Sequence, residues 1–367
     1  MKRLFKYDLL LIFITFILLG IGIIQVFSSS YYLDVNNAYN ALVIDHIKSI
    51  GIGVSAMLLF SLIPYKLFKK VGYLALIPLI FTFALLYTDA AFIVNGSRRW
   101  IKIAGFSFMP SEWAKIFIII ILSKALYMRE KFIKDFFMGV LPYLVFGLIF
   151  AFLVYQQPNM SDAVIIMSIV IGMIFISGIK LSHLMFILIT GISGIVYMIT
   201  SSNYRMQRFL TFRDPFADPL NFGYQSIQSL YALGSGGLFG VGIGLSTQNK
   251  LYLPESQNDF ILATIAEEWG FIGVIMTLFL FLILIYKGFR IAIECEDKFG
   301  FYLSFGITLM LSLHVIINFL VVGSLMPVTG ITLPLISYGG NAILVVLISI
   351  GILLNISRSN NILKEER

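Results

Sequence analysis

The stretch DFILATIAEEWGFIGVIMTLFLFLILI, from Asp259 to Ile285, decides the fold. It is long and apolar enough to cross a bilayer as one helix. Its charges are an acid at the mouth, Asp259, and two more, Glu267 and Glu268, roughly 12 Å deeper by helical rise. Acids at that depth must face protein or water, and pairing with buried cations is one way to hold them.

Working outward, comparable runs fall at 8–28, 46–65, 72–94, 110–127, 137–155, 160–178, 181–200, 301–323 and 335–356. The expected fold class is therefore an all-α polytopic membrane protein with about ten transmembrane helices. Residues 1–367 read as a single integral membrane domain, with one long loop, 201–258, between helices 7 and 8. At about 58 residues that loop is too long to be a mere connector and is expected to be functional. The composition agrees, since 59% hydrophobic against 12% charged residues excludes an ordinary soluble domain. After Met1-Lys2-Arg3 the apolar run lacks a small-residue cleavage site, so it reads as the first span. The single cysteine, Cys295, excludes an intrachain disulfide. His46, His183 and His314 lie far apart in sequence, and neither pattern points to a structural zinc.

The net charge of +7 is explained by topology more simply than by nucleic acid. With both termini cytoplasmic, the inner segments collect Lys2, Arg3, Lys6, three lysines at 66–70, four cations at 124–134, Lys180, Lys287, Arg290, Lys298, Arg358, Lys364 and Arg367. The outer segments keep Lys48, Arg98, Arg99, Lys102, Arg205, Arg208, Arg213 and Lys250, and all but Lys48 belong to two loops. Cations held outside against the usual bias imply an anionic ligand there.

The first of these loops reads NGSRRWIKIAGFSFMPSEWAK. Adjacent Arg98 and Arg99 suit phosphate oxygens. Trp100 has two readings, an interfacial belt residue, which sequence alone favours, or a platform for a sugar ring. Pro110 opens a helix with Ser111 and Glu112 in its first turn, and Lys115 shares a face with Glu112. A lysine inside a span faces a cavity or partner, or else snorkels to the surface.

In the long loop, Arg205 and Arg208 are spaced for one helical face, and DPFADP makes turns. YQSIQSLYAL reads as a short amphipathic helix with Gln225 and Gln228 on one side. GSGGLFGVGIG lacks the GK[ST] ending of a phosphate loop and reads as flexible backbone. Asp259 itself is either a helix N-cap, the commoner role, or a general base at the membrane surface. For the base, burial would raise its pKa while Lys115 or the arginines would lower it. LMPVTGITLPLISYGGNA then bends the chain, placing Ser337, Tyr338 and Asn341 at the mouth of the last helix. His314 and Asn318 are expected to make interhelical hydrogen bonds.

Taken together, NGSRRW, PSEWAK, QQPNMS, FRDPFADP, GYQSIQSLYALGSGGLFGVGIG, LPESQNDF with AEEWG, and MPVTGITLPLISYGG resemble the SEDS family of peptidoglycan polymerases, and span nearly the whole chain. The phrases around residues 227–260 are more similar to its division and sporulation branch than to its elongation branch. The resemblance implies an inverting glycosyltransferase of the bacterial cytoplasmic membrane, active on its outer face. It would polymerise lipid II into β-1,4 glycan with undecaprenyl pyrophosphate as leaving group. Its partners would be a class B penicillin-binding protein, other divisome proteins and membrane lipid, with no nucleic acid. The family's essential acid corresponds to Asp259, the lysine of PSExxK to Lys115, and SRRW to Arg98, Arg99 and Trp100. Arg205, Arg208, Gln225 and Ser337 complete the expected substrate-binding set. No metal ligands are identified, although a divalent cation, Mg2+ or Mn2+, would suit the pyrophosphate.

Three positions depart from the family pattern. Asn159 stands where many members have Asp, with Asp162 three residues later; Gln257-Asn258 replaces His-Thr; and Asn341 replaces a Ser. The first puts a catalytic or metal role at that position in doubt. Two competing functions remain at this stage: a lipid II flippase using the polar groups within spans, and a non-catalytic division scaffold.

Overall fold

The computed structural model describes residues 7–31, 38–94, 97–103, 106–250 and 252–365. The inner-segment cations Lys2, Arg3, Lys6 and Arg367, residues Asn95, Gly96, Ala104 and Gly105 of the first basic loop, and Leu251 lie outside the described residues.

The chain is built almost entirely of helices. In order they are α1 (Leu9–Ser30), α2 (Ala38–Leu62), α3 (Lys66–Val71), α4 (Leu76–Leu85), α5 (Pro110–Met128), α6 (Leu141–Tyr155), α7 (Met160–Ile176), α8 (Leu181–Thr200), α9 (Asn203–Arg213), α10 (Tyr224–Gly236), α11 (Ile261–Ile293), α12 (Lys298–Val322) and α13 (Gly340–Glu365). Among the described residues, eight helical segments are long and apolar enough to cross a membrane, and the shorter α7 is apolar too. Helix α5 has 19 residues but carries Glu112, Lys115 and Lys124, so composition alone does not mark it as a span. The protein is a multi-pass membrane protein.

Local chemistry sets several boundaries. Asp8 caps α1 by accepting from the Leu11 N–H, Asp297 caps α12 through Gly300, and Pro110 occupies the first turn of α5. The helix predicted over 72–94 is shorter in the structure. Helix α4 ends at Leu85, and Ala91–Val94 forms strand β1, paired with β2 (Ser97–Ile103), which pairs in turn with β3 (Phe106–Phe108). The run AFIV is apolar and short, and such a run reads the same as buried helix or as strand. The hairpin decides it, because the chain must turn back to satisfy backbone groups outside the helix.

Burial separates the helices into centre and rim. Helix α13 is 83% buried along its apolar window, whereas α8 is 6% buried and turns nearly all of its side chains outward. Between α8 and α11 the long loop is not structureless. It folds into α9, a short turn at Pro215–Ala217, α10 and a glycine-rich return.

Candidate active site

Helix α11 begins one residue after Phe260, which is fully buried and serves as its N-cap with no side-chain hydrogen bond. Asp259 is therefore not the cap. Its backbone is fixed instead by a row of donors on consecutive carbonyls. The Tyr338 N–H donates to the Gln257 carbonyl at 2.9 Å. Ser337 Oγ donates to the Asn258 carbonyl at 2.6 Å, and Asn318 Nδ2 donates to the Asp259 carbonyl at 2.8 Å. Asn318 Nδ2 also reaches the Ile331 carbonyl at 2.8 Å, so α12 and the 331–338 bend hold the segment together. Ser337 and Asn318 act here as positioning groups.

The carboxylate itself has no side-chain hydrogen-bond donor among the described residues, and a methyl group at Gly330 would stand 3.6 Å from its Oδ2. Gly330 has φ +75, a conformation that favours glycine. Burial pushes the Asp259 carboxyl up to about 7. A hydrogen bond from its own backbone opposes this, repulsion from Glu255 adds to it, and attraction to Arg208 opposes it again. Desolvation thus wins the competition left open by the sequence, and the opposing cation is Arg208 and not Lys115. A carboxylate that titrates near neutrality can both hold and release a proton at working pH.

The arginines divide. Arg208 lies on α9 with its guanidinium 4.9 Å over the Tyr204 ring and Nη1 donating to the Val328 carbonyl at 3.2 Å. Val328 precedes Gly330 by two residues, which ties this cation to the bend beside Asp259. Arg205, one turn earlier, stacks 5.1 Å from the Tyr155 ring and keeps a buried Nη1 without a protein partner. The expected adjacency of Arg98 and Arg99 is broken by a β-bulge. Arg98 pairs with Ile93 and Trp100 with Phe92, leaving Arg99 as the extra residue. Arg99 turns away and donates from Nε to the Gln157 carbonyl at 2.8 Å and from Nη2 to the Pro158 carbonyl. Arg98 is exposed and Trp100 partly exposed. Gln225 is partly buried on α10 beside the buried Ser226.

Lys115 shares a face with Glu112 and turns to partners inside the protein instead of snorkelling to the surface. It is fully buried, and its three ammonium protons have three acceptors: Glu112 Oε1 at 2.8 Å, Asp162 Oδ1 at 3.1 Å and His314 Nε2 at 2.9 Å. His314 Nδ1 lies 2.8 Å from the Met310 carbonyl, which only accepts, so the ring proton sits on Nδ1 and Nε2 is the acceptor. Asp162 is further held by Ser111 Oγ at 2.9 Å and Asn159 Nδ2 at 2.7 Å. The Asp at 162 thus does the pairing that Asn159 cannot, while Asn159 caps α7 by accepting from the Asp162 N–H. Glu112, Asp162 and His314 bring one ligand atom each within 4.8 Å of one another. The Lys115 ammonium sits among these three ligand atoms and takes a facing lone pair from each, so a divalent cation does not fit beside it.

Among the described residues no ion pair of Glu267 or Glu268 is seen, and both are held by hydrogen bonds. Glu267 accepts from Ser246 Oγ and from the Thr247 N–H at 2.9 Å; Glu268 accepts from Gln25 Nε2 at 3.0 Å, Ser28 Oγ and the Gly244 N–H at 3.1 Å. They fasten the glycine-rich loop and α1 to α11. The sequence pointed to hydrogen bonds between elements from His314 and Asn318 but not to their partners, Lys115 and the Asp259 carbonyl, and it missed the fastening by Glu267 and Glu268. The signal available was the number of polar residues within spans, each of which must find a partner there.

The fold and site thus define a polytopic helical membrane protein with an acid titrating near neutrality at a helix mouth, Glu255 and Arg208 acting on it. Residues 9–362 match the model of the FtsW, RodA and SpoVE family, described as cell cycle protein, and the chain belongs to that family. It is 41% identical over 359 residues to stage V sporulation protein E of Bacillus subtilis (strain 168), covering 96% of this chain and 97% of the relative. It is 35% identical over 360 residues to a probable peptidoglycan glycosyltransferase FtsW of Geobacter sp. (strain M18), covering 97% and 98%. A solved structure described as "Structural coordination of polymerization and crosslinking by a peptidoglycan synthase complex" superposes with TM-score 0.79 at 25% identity, covering 96% of this chain and 98% of the other. Thermus thermophilus rod shape determining protein RodA shares the fold, with TM-score 0.70 at 23% identity over 96% of this chain and 97% of its own.

Proposed function

We propose that the protein is a peptidoglycan glycosyltransferase that polymerises lipid II on the outer face of the cytoplasmic membrane for septal or spore wall. The observation that carries the reading is Asp259, with its backbone locked and its carboxyl raised to about 7 beside Arg208. The 4-hydroxyl of the acceptor GlcNAc attacks the anomeric carbon of the donor MurNAc. Asp259 takes the hydroxyl proton as the new C–O bond forms, and the bond to undecaprenyl pyrophosphate breaks with inversion, giving a β-1,4 linkage. Pyrophosphate is a good leaving group, so no second carboxylic acid is needed. Arg208, Arg205 and the exposed Arg98 supply positive charge to the departing anion. Lys115 acts one layer below, bridging Glu112, Asp162 and His314 and stiffening the α5–α7–α12 contact.

The names of the relatives support the reaction, and the solved synthase complex, which couples polymerisation to crosslinking, supports a class B penicillin-binding protein as partner. The flippase reading is weaker than it stood on sequence. Asp162, Glu267, Glu268 and Asn318 are all engaged in internal hydrogen bonds, which favours structural roles over a translocation path. The test is incubation of the purified protein with labelled lipid II, with and without a cognate class B penicillin-binding protein. Glycan polymer is expected from the wild type and not from Asp259→Ala. Polymer from that variant would sink the base assignment, and lipid II translocation without polymer would replace the reaction with transport.

A further inference from the structure

The segment from Gly236 to Asn249 belongs to the long loop 201–258 and reads from sequence as flexible backbone, yet in the structure it is bonded into the side of a membrane span. Helix α11 is interrupted at Gly270, where φ is 70 and ψ is −167. The interruption is filled by the loop. The Phe271 and Ile272 N–H groups donate to the carbonyls of Gly237 and Leu238 at 2.9 and 3.2 Å. In return the Val241 and Gly242 N–H groups donate to the carbonyls of Glu267 and Glu268, both at 3.0 Å. Loop and helix thus exchange backbone bonds six to eleven residues inside a span, roughly 9 Å or more below its start by helical rise. A Cβ at Gly240 would meet the Glu268 carbonyl at 2.1 Å, so the loop is pressed directly against the helix backbone.

Every large apolar side chain of this loop points outward. Leu238, Phe239, Ile243 and Leu245 are all exposed, Phe239 at 79%. They continue the exposed face of α11 formed by Phe271, Ile272, Ile275 and Phe279. No charged residue occurs between Asp218 and Lys250, whereas α9 and its following turn carry Arg205, Arg208, Arg213, Asp214 and Asp218. Irregular backbone is tolerated at membrane depth only where its polar groups are satisfied, and here Glu267, Glu268 and the broken helix satisfy them.

We propose that residues 237–245 form a re-entrant loop seated in the hydrocarbon of the leaflet on the Asp259 side, with its outward side chains against lipid acyl chains. The surface is a lipid contact and not part of the aqueous loop. Its occupant is set by depth, by the absence of charge, and by continuity with the lipid-facing side of α11. Because the loop clamps Glu267 to Gly270, lipid packing bears on the first segment of α11, whose other end is Asp259. This inference does not rest on the proposed reaction, and its readout is independent of glycan synthesis.

The test uses the full chain in phospholipid vesicles, in a Cys295→Ser background that removes the single native cysteine. Nitroxide labels are placed on Phe239→Cys and Ile243→Cys, with Phe279→Cys as the span reference and Leu220→Cys, 84% exposed, as the aqueous reference. The expected result is that 239 and 243 match 279, with high access to oxygen and low access to a water-soluble nickel chelate. Nickel access equal to that at 220 overturns the proposal. Protection from both reagents also overturns it, because a second copy then covers the surface. Phe239→Trp, which keeps an aromatic side chain, gives a second reading. Its added emission should be quenched more by lipids brominated on their acyl chains than by aqueous iodide, and the reverse order contradicts the assignment.

Discussion

Asp259 and Glu268 lie nine residues apart at one end of the molecule, yet their environments are opposite. At Asp259 the backbone carbonyl is held by Asn318 while the carboxyl has no side-chain donor among the described residues. At Glu268 the carboxyl is consumed by Gln25, Ser28 and the Gly244 N–H. One acid is positioned and left chemically available, and the other is used as a fastener. Burial of an acid alone therefore does not mark catalysis. What distinguishes the two is whether the hydrogen bonds go to the main chain or to the carboxylate.

The largest expected effect comes from removing the available acid. Asp259→Asn keeps the shape and should lower the polymerisation rate on lipid II by roughly 10²–10⁴-fold, the usual worth of a general base. Its thermal stability should not fall. The sign follows from the raised pKa: the folded protein holds the proton up to about 7, whereas an unfolded aspartate releases it near about 4. The wild type therefore loses stability as pH rises from 4 through 7, and Asp259→Asn should unfold at a higher temperature than wild type above pH 7. A lower unfolding temperature there would erase the contrast with Glu268.

The fastener should behave in the reverse manner. Glu268→Ala strands donors from Gln25, Ser28 and Gly244, at about 1–3 kcal/mol for each one left unsatisfied. Its unfolding temperature in detergent should drop, with activity falling in step with folded protein. A variant of wild-type stability that had lost polymerisation would instead give Glu268 a chemical role.

Asn318→Leu sharpens the comparison from the other side, since it frees the Asp259 carbonyl without touching the carboxyl. Small displacements of a reacting group can cost about 10²-fold in rate. A fall of roughly that size in kcat with KM nearly unchanged is expected, and Asn318→Asp should not restore it because it brings no donor. The smallest effect is expected at Arg98. It is exposed and has no ion pair among the described residues, so Arg98→Ala should change lipid II affinity by no more than about 1 kcal/mol, the range of exposed charge contacts. Titration of binding in detergent measures this.

Much of this arrangement is legible in the sequence, for identifiable reasons. Helices such as α1 and α12 are apolar over more residues than any strand contains, so their type is unambiguous. The acid at the mouth of α11 and the cations of the two basic loops are visible as charges in unexpected places. Strand β1 was not legible, because four apolar residues carry no period that separates helix from strand. The role of Lys115 was not legible either. Its partners Asp162 and His314 are 47 and 199 residues away and meet it only when α5, α7 and α12 pack. The donors beneath Asp259 come from Asn318, Ser337 and the Tyr338 backbone, at least 59 residues from the carbonyls they hold. Hydrogen bonds of that span are a product of tertiary structure and leave no local pattern.

The pH dependence of polymerisation tests the central claim most directly. With labelled lipid II and initial rates, the wild type should show an acidic limb in kcat/KM that falls tenfold per pH unit below a midpoint near 7. Asp259→Asn should remain at its residual rate across the same range. A wild-type midpoint near 4, or an acidic limb that persists at full rate in Asp259→Asn, would contradict the account.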